Sequence, residues 1–370
     1  MKVKSVELIP VTLPYNQPVS DAWGVYQAAK CAIVKVEDEN GCCGYGEVSL
    51  AWFGGVHSMC RDASENWVPR IVGMETDRIT ELNELLTSFC VFSKRHLLVK
   101  AGIEMAFWDL LGKELGLPVY KLLGGKVRDR IPLTAGVAML SEEEMLLQAE
   151  NAVRNGFKEL KIKVGLEQEK DLAAVKAIRR AVGPEIRIRA DANMAWPDVK
   201  TAKYMMDALY DLGVDLIEQP IDYRDLEGMA WLRKNTQSKI LVDEGIWDLS
   251  DAAACIRTDS VDIPHIYICE SGGIAEAVKI FHLAEAFSLS CTIGSMPEGL
   301  VGASAAAHVA AAMQNLAERP SDIRGFTVFS DDVAKTDLRI ENGELIVPDG
   351  PGLGFEIDEE MLSKLRADRA

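Results

Sequence analysis

Lys158-Glu159-Leu160-Lys161-Ile162-Lys163-Val164 is the first of four short β-branched runs that share one rhythm. The others are Glu185–Asn193 (EIRIRADAN), Asp215–Pro220 (DLIEQP) and Lys239–Gly245 (KILVDEG). Lys163, Asp191, Glu218 and Glu244 stand at or near their ends, 28, 27 and 26 residues apart. A strand, its helix and two loops fill about that length in a (β/α)8 barrel, which runs to roughly 250 residues over eight units. Four successive strands therefore bring one amine and three carboxylates to a single rim, the rim where barrel enzymes keep their active sites. One acid at a strand end is ordinarily a turn former or a helix cap. Three in phase with the fold point to a site.

Like charges at close range disfavour each other's ionisation, so three carboxylates in a partly dry pocket call for a cation. Oxygen ligands in small number, with positions left for water or substrate, suit Mg²⁺. No His pair at helical spacing and no Cys pair at finger spacing accompanies Asp191, Glu218 and Glu244, which argues against zinc. Lys161 and Lys163 lie two apart on one strand and face the same side. Their proximity and partial burial are expected to depress their pKa values, and a lysine tuned toward neutrality serves as a general base.

The 370 residues, 48% hydrophobic, are enough for a large core and more than one domain. The start, MKVKSVEL, alternates like a strand and has no apolar signal core. No apolar stretch approaches the roughly 20 residues of a membrane span. The eight cysteines show no paired pattern, and adjacent Cys42 and Cys43 make poor disulfide partners, so reduced thiols and a cytoplasmic location are expected. A net charge of −17 sets nucleic acid aside as a partner, since that affinity rests on neutralising phosphates.

Strands are expected at 2–13, 28–38 and 42–49, the last two joined by the turn Asp38-Glu39-Asn40-Gly41. Helices follow near 58–70, 77–92 and 94–115, the last ending at Gly116. From Ile131 strand and helix alternate. Strands fall near 131–137, 158–164, 185–191, 215–218, 239–243, 262–268, 288–294 and 324–329. Ser141-Glu142-Glu143-Glu144 is a capping-box start, Pro197 is expected at the first position of the third helix, and alanine-rich 301–312 reads as a packed helix.

The ordered set Lys161-Ile162-Lys163, Asp191-Ala192-Asn193, Glu218-Gln219-Pro220, Asp243-Glu244-Gly245, Gly272-Gly273-Ile274 and Pro348–Gly354 (PDGPGLG) resembles the enolase superfamily, in its mandelate racemase and muconate-lactonizing branch. The likeness runs over essentially the whole chain. It implies a modified (β/α)8 barrel at 126–334 and an N-terminal α+β capping domain at 1–125, completed by the tail 335–370. It also implies one Mg²⁺ on Asp191, Glu218 and Glu244. Lys163 would be the base that removes a proton α to a carboxylate, through an enediolate, with Lys161 beside the substrate carboxylate. Asn193 and Glu298 are further candidates near the substrate. Loops holding Trp23 and Trp52 would close over the mouth. A small carboxylate substrate and a homo-oligomer are expected.

Two departures bear on the reaction. Muconate-lactonizing relatives carry a second lysine where this chain has Tyr267 (Tyr267-Ile268-Cys269-Glu270-Ser271-Gly272-Gly273). In the mandelate racemase branch an aspartate there pairs with a histidine whose place is near Gly294. Neither second base is present. Racemases need acid–base groups on both faces of the substrate, so one lysine fits a cycloisomerase or dehydratase better. An epimerase of amino-acid derivatives or dipeptides, with Tyr267 replacing the lysine, is the alternative; a catalytically silent metal-binding relative is a third. Tyr267 and His265, two apart on one face, read either as acid and substrate-binding groups or as packing inside the barrel.

Overall fold

The computed structural model describes residues 1–20, 25–49 and 54–368. Strands β1 (Val3–Ser20), β2 (Val25–Asp38) and β3 (Cys43–Val48) form an antiparallel sheet in that order. The β2–β3 turn is held by the Asp38 carboxylate, which accepts from the N–H groups of Asn40 and Cys42, both at 2.8 Å. Helices α1 (Val56–Asn66), α2 (Val68–Ile71), α3 (Ile79–Cys90) and α4 (His96–Leu115) follow. Helix α4 is buried on nearly every side and stops at Gly116, which adopts the left-handed conformation usual at helix ends.

After α5 (Val119–Leu122) and β4 (Arg130–Pro132) the alternation begins. It runs β5 (Ala135–Val137), α6 (Glu142–Arg154), β6 (Glu159–Lys163), α7 (Gln168–Val182), β7 (Arg187–Asp191), α8 (Val199–Asp211) and β8 (Val214–Glu218). It continues through α9 (Leu226–Asn235), β9 (Lys239–Val242), α10 (Leu249–Arg257), β10 (Ile263–Ile266), α11 (Ile274–Ala286), β11 (Thr292–Ile293) and α12 (Leu300–Ala312). Strands β5 to β11 pair in sequence order, all parallel. This is the (β/α) barrel with a separate capping domain. The Ser141 capping box is formed.

Two expectations fail locally. Residues 324–329 do not make the eighth strand; Gly325–Val328 is a 3₁₀ turn. The ring closes one segment earlier through single bridges, Cys291 to Leu316 and Leu133 to Ser321, with the Asp322 N–H donating to the Ile293 carbonyl at 2.7 Å. Pro320, lying between those bridges, has no N–H to give a ladder. The β-like run is spent elsewhere: Phe329 stacks on Tyr15 of β1, centroids 5.3 Å apart. Pro197, expected inside the third helix, lies before it. Asp198 caps α8 by accepting from the N–H groups of Lys200 and Thr201, and that bond sets the boundary.

The tail gives β12 (Ala334–Thr336), β13 (Arg339–Glu341), β14 (Glu344–Ile346), β15 (Phe355–Ile357) and α13 (Glu359–Leu365). Strands β12 and β15 pair with each other. The β13–β14 hairpin adds to β4, and the Ala367 N–H donates to the Pro10 carbonyl of β1 at 2.8 Å. All eight cysteines are free thiols. Among the described residues no helix is long and apolar enough to cross a membrane.

Buried carboxylates pin the first sheet and helices to the barrel. Glu104 of α4 accepts from the N–H groups of Ile274 (2.7 Å) and Ala275 (2.9 Å) at the start of α11, and from Trp108 Nε1 (2.7 Å). Gly273 makes room: a Cβ there would stand 2.3 Å from Glu104 Oε2, and its φ of 121° disfavours any side chain. Glu47, at the end of β3, accepts from Gly299 and Gly302 at the start of α12, at 2.9 and 3.0 Å. Each acid also meets the positive end of a helix.

Candidate active site

Strand register assembles the site. Lys163 pairs with Asp191, and Asp191 with Glu218, across β6, β7 and β8, so the three stand side by side at the strand ends. Lys163 Nζ lies 2.6 Å from Asp191 Oδ2 and 2.5 Å from Asn193 Oδ1. Asn193 in turn donates to Glu244 Oε1 at 3.0 Å and takes the left-handed conformation, φ 42°, as a turn asparagine can. Lys161 Nζ is 2.8 Å from Glu218, 3.3 Å from Asp191 and 3.1 Å from Asp322. Lys161, Lys163, Asp191, Asn193, Glu218 and Glu244 thus form one connected network.

Beneath it lie charges that the sequence reading passed over. Fully buried Arg189 approaches Glu218 Oε2 at 3.3 Å and Glu159 at 3.6 Å. It stands two residues before Asp191 on the same strand, so alternation alone places it on the inner face. Asp322 was hidden by the misplacement of the eighth strand.

Lys161 is not depressed as expected. Burial lowers Lys161, but Glu218, Asp322 and Asp191 outweigh it and hold the ammonium well above the ordinary lysine value. Glu218 is the mirror case. Burial would raise it, yet Lys161 and Arg189 bring it down to about 2. Glu244 has no cation to itself, and burial with the nearby Asp191 charge pushes it up.

Among the described residues no three His, Cys, Asp or Glu side chains are gathered tightly enough to hold a metal ion. Two lysine ammoniums lie among the acids instead. The donor set is nonetheless that of a hard cation. Among the described residues Glu244 Oε2 is buried and accepts no hydrogen bond, Glu218 Oε2 has only the Arg189 ion pair, and Asp191 and Glu218 raise the Glu244 pKa. A divalent cation would relieve that repulsion and use those free lone pairs. The carboxylates fit one.

Strand alternation would turn Asp243 away from Glu244, but regular strand geometry ends at Val242, so both acids sit at the rim. Asp243 Oδ2 receives Tyr267 Oη at 3.3 Å, and burial with the Glu244 charge holds its carboxyl well above the usual range. Tyr267 is raised well above an ordinary phenol by burial and Asp243. His265 packs edge-on against Tyr267 and bonds Thr292 Oγ1 through Nδ1 at 2.6 Å. Burial and the charge of Arg189 keep it neutral, and its Nε2 has no partner. Gly294 is explained by the same pair: a Cβ there would lie 2.3 Å from the Tyr267 ring. A histidine at 294 and the tyrosine at 267 cannot coexist in this arrangement.

Glu298 meets Ser295 Oγ and Cys269 Sγ, and burial pushes it up to about 8. Trp23 and Trp52 lie outside the described residues.

With this geometry in hand, comparison with known proteins is direct. Residues 144–361 match the family profile described as enolase C-terminal domain-like, and residues 4–124 match the mandelate racemase / muconate lactonizing enzyme N-terminal domain. The chain belongs to the mandelate racemase and muconate-lactonizing branch of the enolase superfamily. Similar members of this branch include a hydrophobic dipeptide epimerase of Enterococcus faecalis, 36% identical over 87% of this chain and 90% of its own length. Muconate cycloisomerase 1 of Acinetobacter baylyi is 30% identical over 98% and 99% of the two chains. The crystal structure of N-succinyl Arg/Lys racemase from Bacillus cereus superposes with a TM-score of 0.92, at 29% identity, covering 99% of this chain and 98% of that one. The enzymes this chain is similar to are isomerases and lyases of the enolase superfamily.

Proposed function

We propose that the protein removes a proton α to a carboxylate, with Lys163 as the only lysine base, and so acts as a cycloisomerase or dehydratase of a small carboxylic acid. The observation that carries this reading is the asymmetry of the mouth. On one side the Lys163 side chain is 39% exposed and within hydrogen-bonding reach of the acids. On the other side stands Tyr267, buried, bonded to Asp243 and too weak an acid to ionise near neutrality. Such a phenol can give a proton and is poorly suited to take one.

Asp191, Glu218 and Glu244 would hold Mg²⁺. When bound, the ion supplies positive charge that offsets the charge developing on the substrate carboxylate, worth several kcal/mol in such roles. Lys163 takes the α-proton onto Nζ, with Asn193 Oδ1 orienting that nitrogen. Lys161, fixed as a cation by its three acids, attracts the substrate carboxylate without changing its own protonation. Tyr267, on the opposite face, gives a hydrogen bond to the substrate or a proton to a leaving hydroxyl, and not a proton to the α-carbon.

Incubation with Mg²⁺ and a panel of carboxylic acids in D₂O tests the reading. We expect deuterium at the α-carbon, with loss of water or ring closure and no inversion. No exchange from any acid would leave a binding protein. The epimerase reading is favoured by the 36% identity to a dipeptide epimerase. It requires Tyr267→Phe to stop interconversion while one stereoisomer still exchanges. Under one-base chemistry that variant slows turnover by about 10²-fold or less.

A further inference from the structure

Glu270 is an acid of the barrel mouth that neither the fold nor the proposed chemistry uses. It follows β10 in the turn that leads to Gly272 and Gly273, and it is only 6% exposed. Among the described residues its carboxyl has no hydrogen bond and no ion pair. The charges that act on it are acidic, those of Glu244 and Glu298. It acts in turn on Asp243 and Tyr267, which face the site. Lys100 comes near the backbone two residues on, where a Cβ at Gly272 would stand 3.6 Å from its Nζ, but that ammonium is paired with Glu276 at 3.2 Å. Other buried acids are met by backbone N–H groups, as Glu104 and Glu47 are, by a lysine or arginine, as Glu218 is, or by a hydroxyl or thiol, as Asp243 and Glu298 are. An acid left without any of these, beside two more, has room for a cation from outside.

We infer that the substrate carries an ammonium group as well as its carboxylate, and that Glu270 receives that ammonium. This rests on the reading of the mouth as a site of α-proton removal. The site then has two electrostatic poles. Lys161 on β6 attracts the carboxylate, and Glu270, in the turn after β10, meets the positive end. An amino or imino acid with a free amine matches both poles. A dicarboxylate would set a like charge against the Glu270 carboxylate, and an N-acylated amino acid would leave that carboxylate without its cation, each at a cost in affinity.

The test compares free amino acids with their N-acetyl forms, using alanine, proline and lysine as probes. With Mg²⁺ in D₂O, α-deuteration should be at least about tenfold faster for the free amines. In the metal-free protein, the free amines should raise the melting temperature and the N-acetyl forms should not. Glu270→Gln, close in shape, should raise the KM for the free amines about tenfold and abolish their thermal shift, with no effect on N-acetyl compounds. Equal or faster exchange of the N-acetyl forms overturns the inference and leaves α-proton removal standing. Equal effects of Glu270→Gln on both classes also overturn it, because a structural role makes no such distinction. No exchange from any acid, free or acylated, removes the underlying reading and the inference with it.

Discussion

Two sets of buried acids in this protein differ in what they bond. Glu104 and Glu47, where the capping domain meets the barrel, each accept two backbone N–H groups from the first turn of a barrel helix. Around the mouth the partners are side chains: Asp191 and Glu218 share lysines, Glu244 takes the Asn193 amide, Glu298 takes the Ser295 hydroxyl and Cys269 thiol, and Glu270 has no donor among the described residues. A backbone donor is fixed by the fold and cannot leave. A lysine ammonium can swing aside, and a missing donor can be supplied by a ligand. The first set therefore holds the architecture together, and the second is held ready for an occupant.

The strongest way to break this comparison is to remove the mobile cation. Lys163→Ala should lower turnover by up to about 10⁴-fold, the upper range for a lost general base. Mg²⁺ affinity, measured by calorimetry, should stay within a few-fold, because the carboxylates remain. A large fall in metal affinity together with turnover would mean that Lys163 belongs to the fixed set.

Glu104→Ala probes the other side. It strands the N–H groups of Ile274 and Ala275 and the Trp108 indole N–H in a buried place. The expected loss is about 3–5 kcal/mol in denaturant unfolding, from donors left unpaired at roughly 1–3 kcal/mol each. A change below about 1 kcal/mol would show that water replaces the carboxylate without difficulty.

The smallest effect concerns pH. Glu298 is raised from 4.5 to about 8 and Glu47 from 4.5 to about 7, in both cases first by burial. Both hold a proton more firmly folded than unfolded. Their contribution is complete below about pH 4.5 and is lost as pH rises through 7 and 8. Glu298→Gln cannot ionise and should flatten the decline in melting temperature between those limits. The difference should be on the order of 1–3 kcal/mol at the alkaline end. Equal slopes in both proteins would mean that Glu298 is better solvated than its burial indicates.

The barrel and its rim were legible because strand-end spacing repeats with the fold, and Lys163, Asp191, Glu218 and Glu244 carry that period. Asn193 was legible as a neighbour of Asp191 by the same token. Glu47 and Glu104 were not. Their partners lie 252 and 170 residues away, and nothing local marks an acid that will cap another domain's helix. The eighth strand was misplaced because the run around Phe329 has strand composition but packs on β1. The missing second base was read as an absence at 267 and 294 separately. The structure turns it into one steric fact, the Tyr267 ring filling the space beside Gly294.

The Glu104–Gly273 contact has a consequence for recombination. A capping domain grafted from a relative brings its own α4, while α11 and the glycine beside it stay with the host barrel. If the donor lacks the acid, two helix N–H groups are stranded; if the host lacks the glycine, the acid meets a side chain 2.3 Å away. New specificity loops are therefore better transplanted alone, leaving this seam intact, and whole-domain chimeras succeed only between parents that match at both positions.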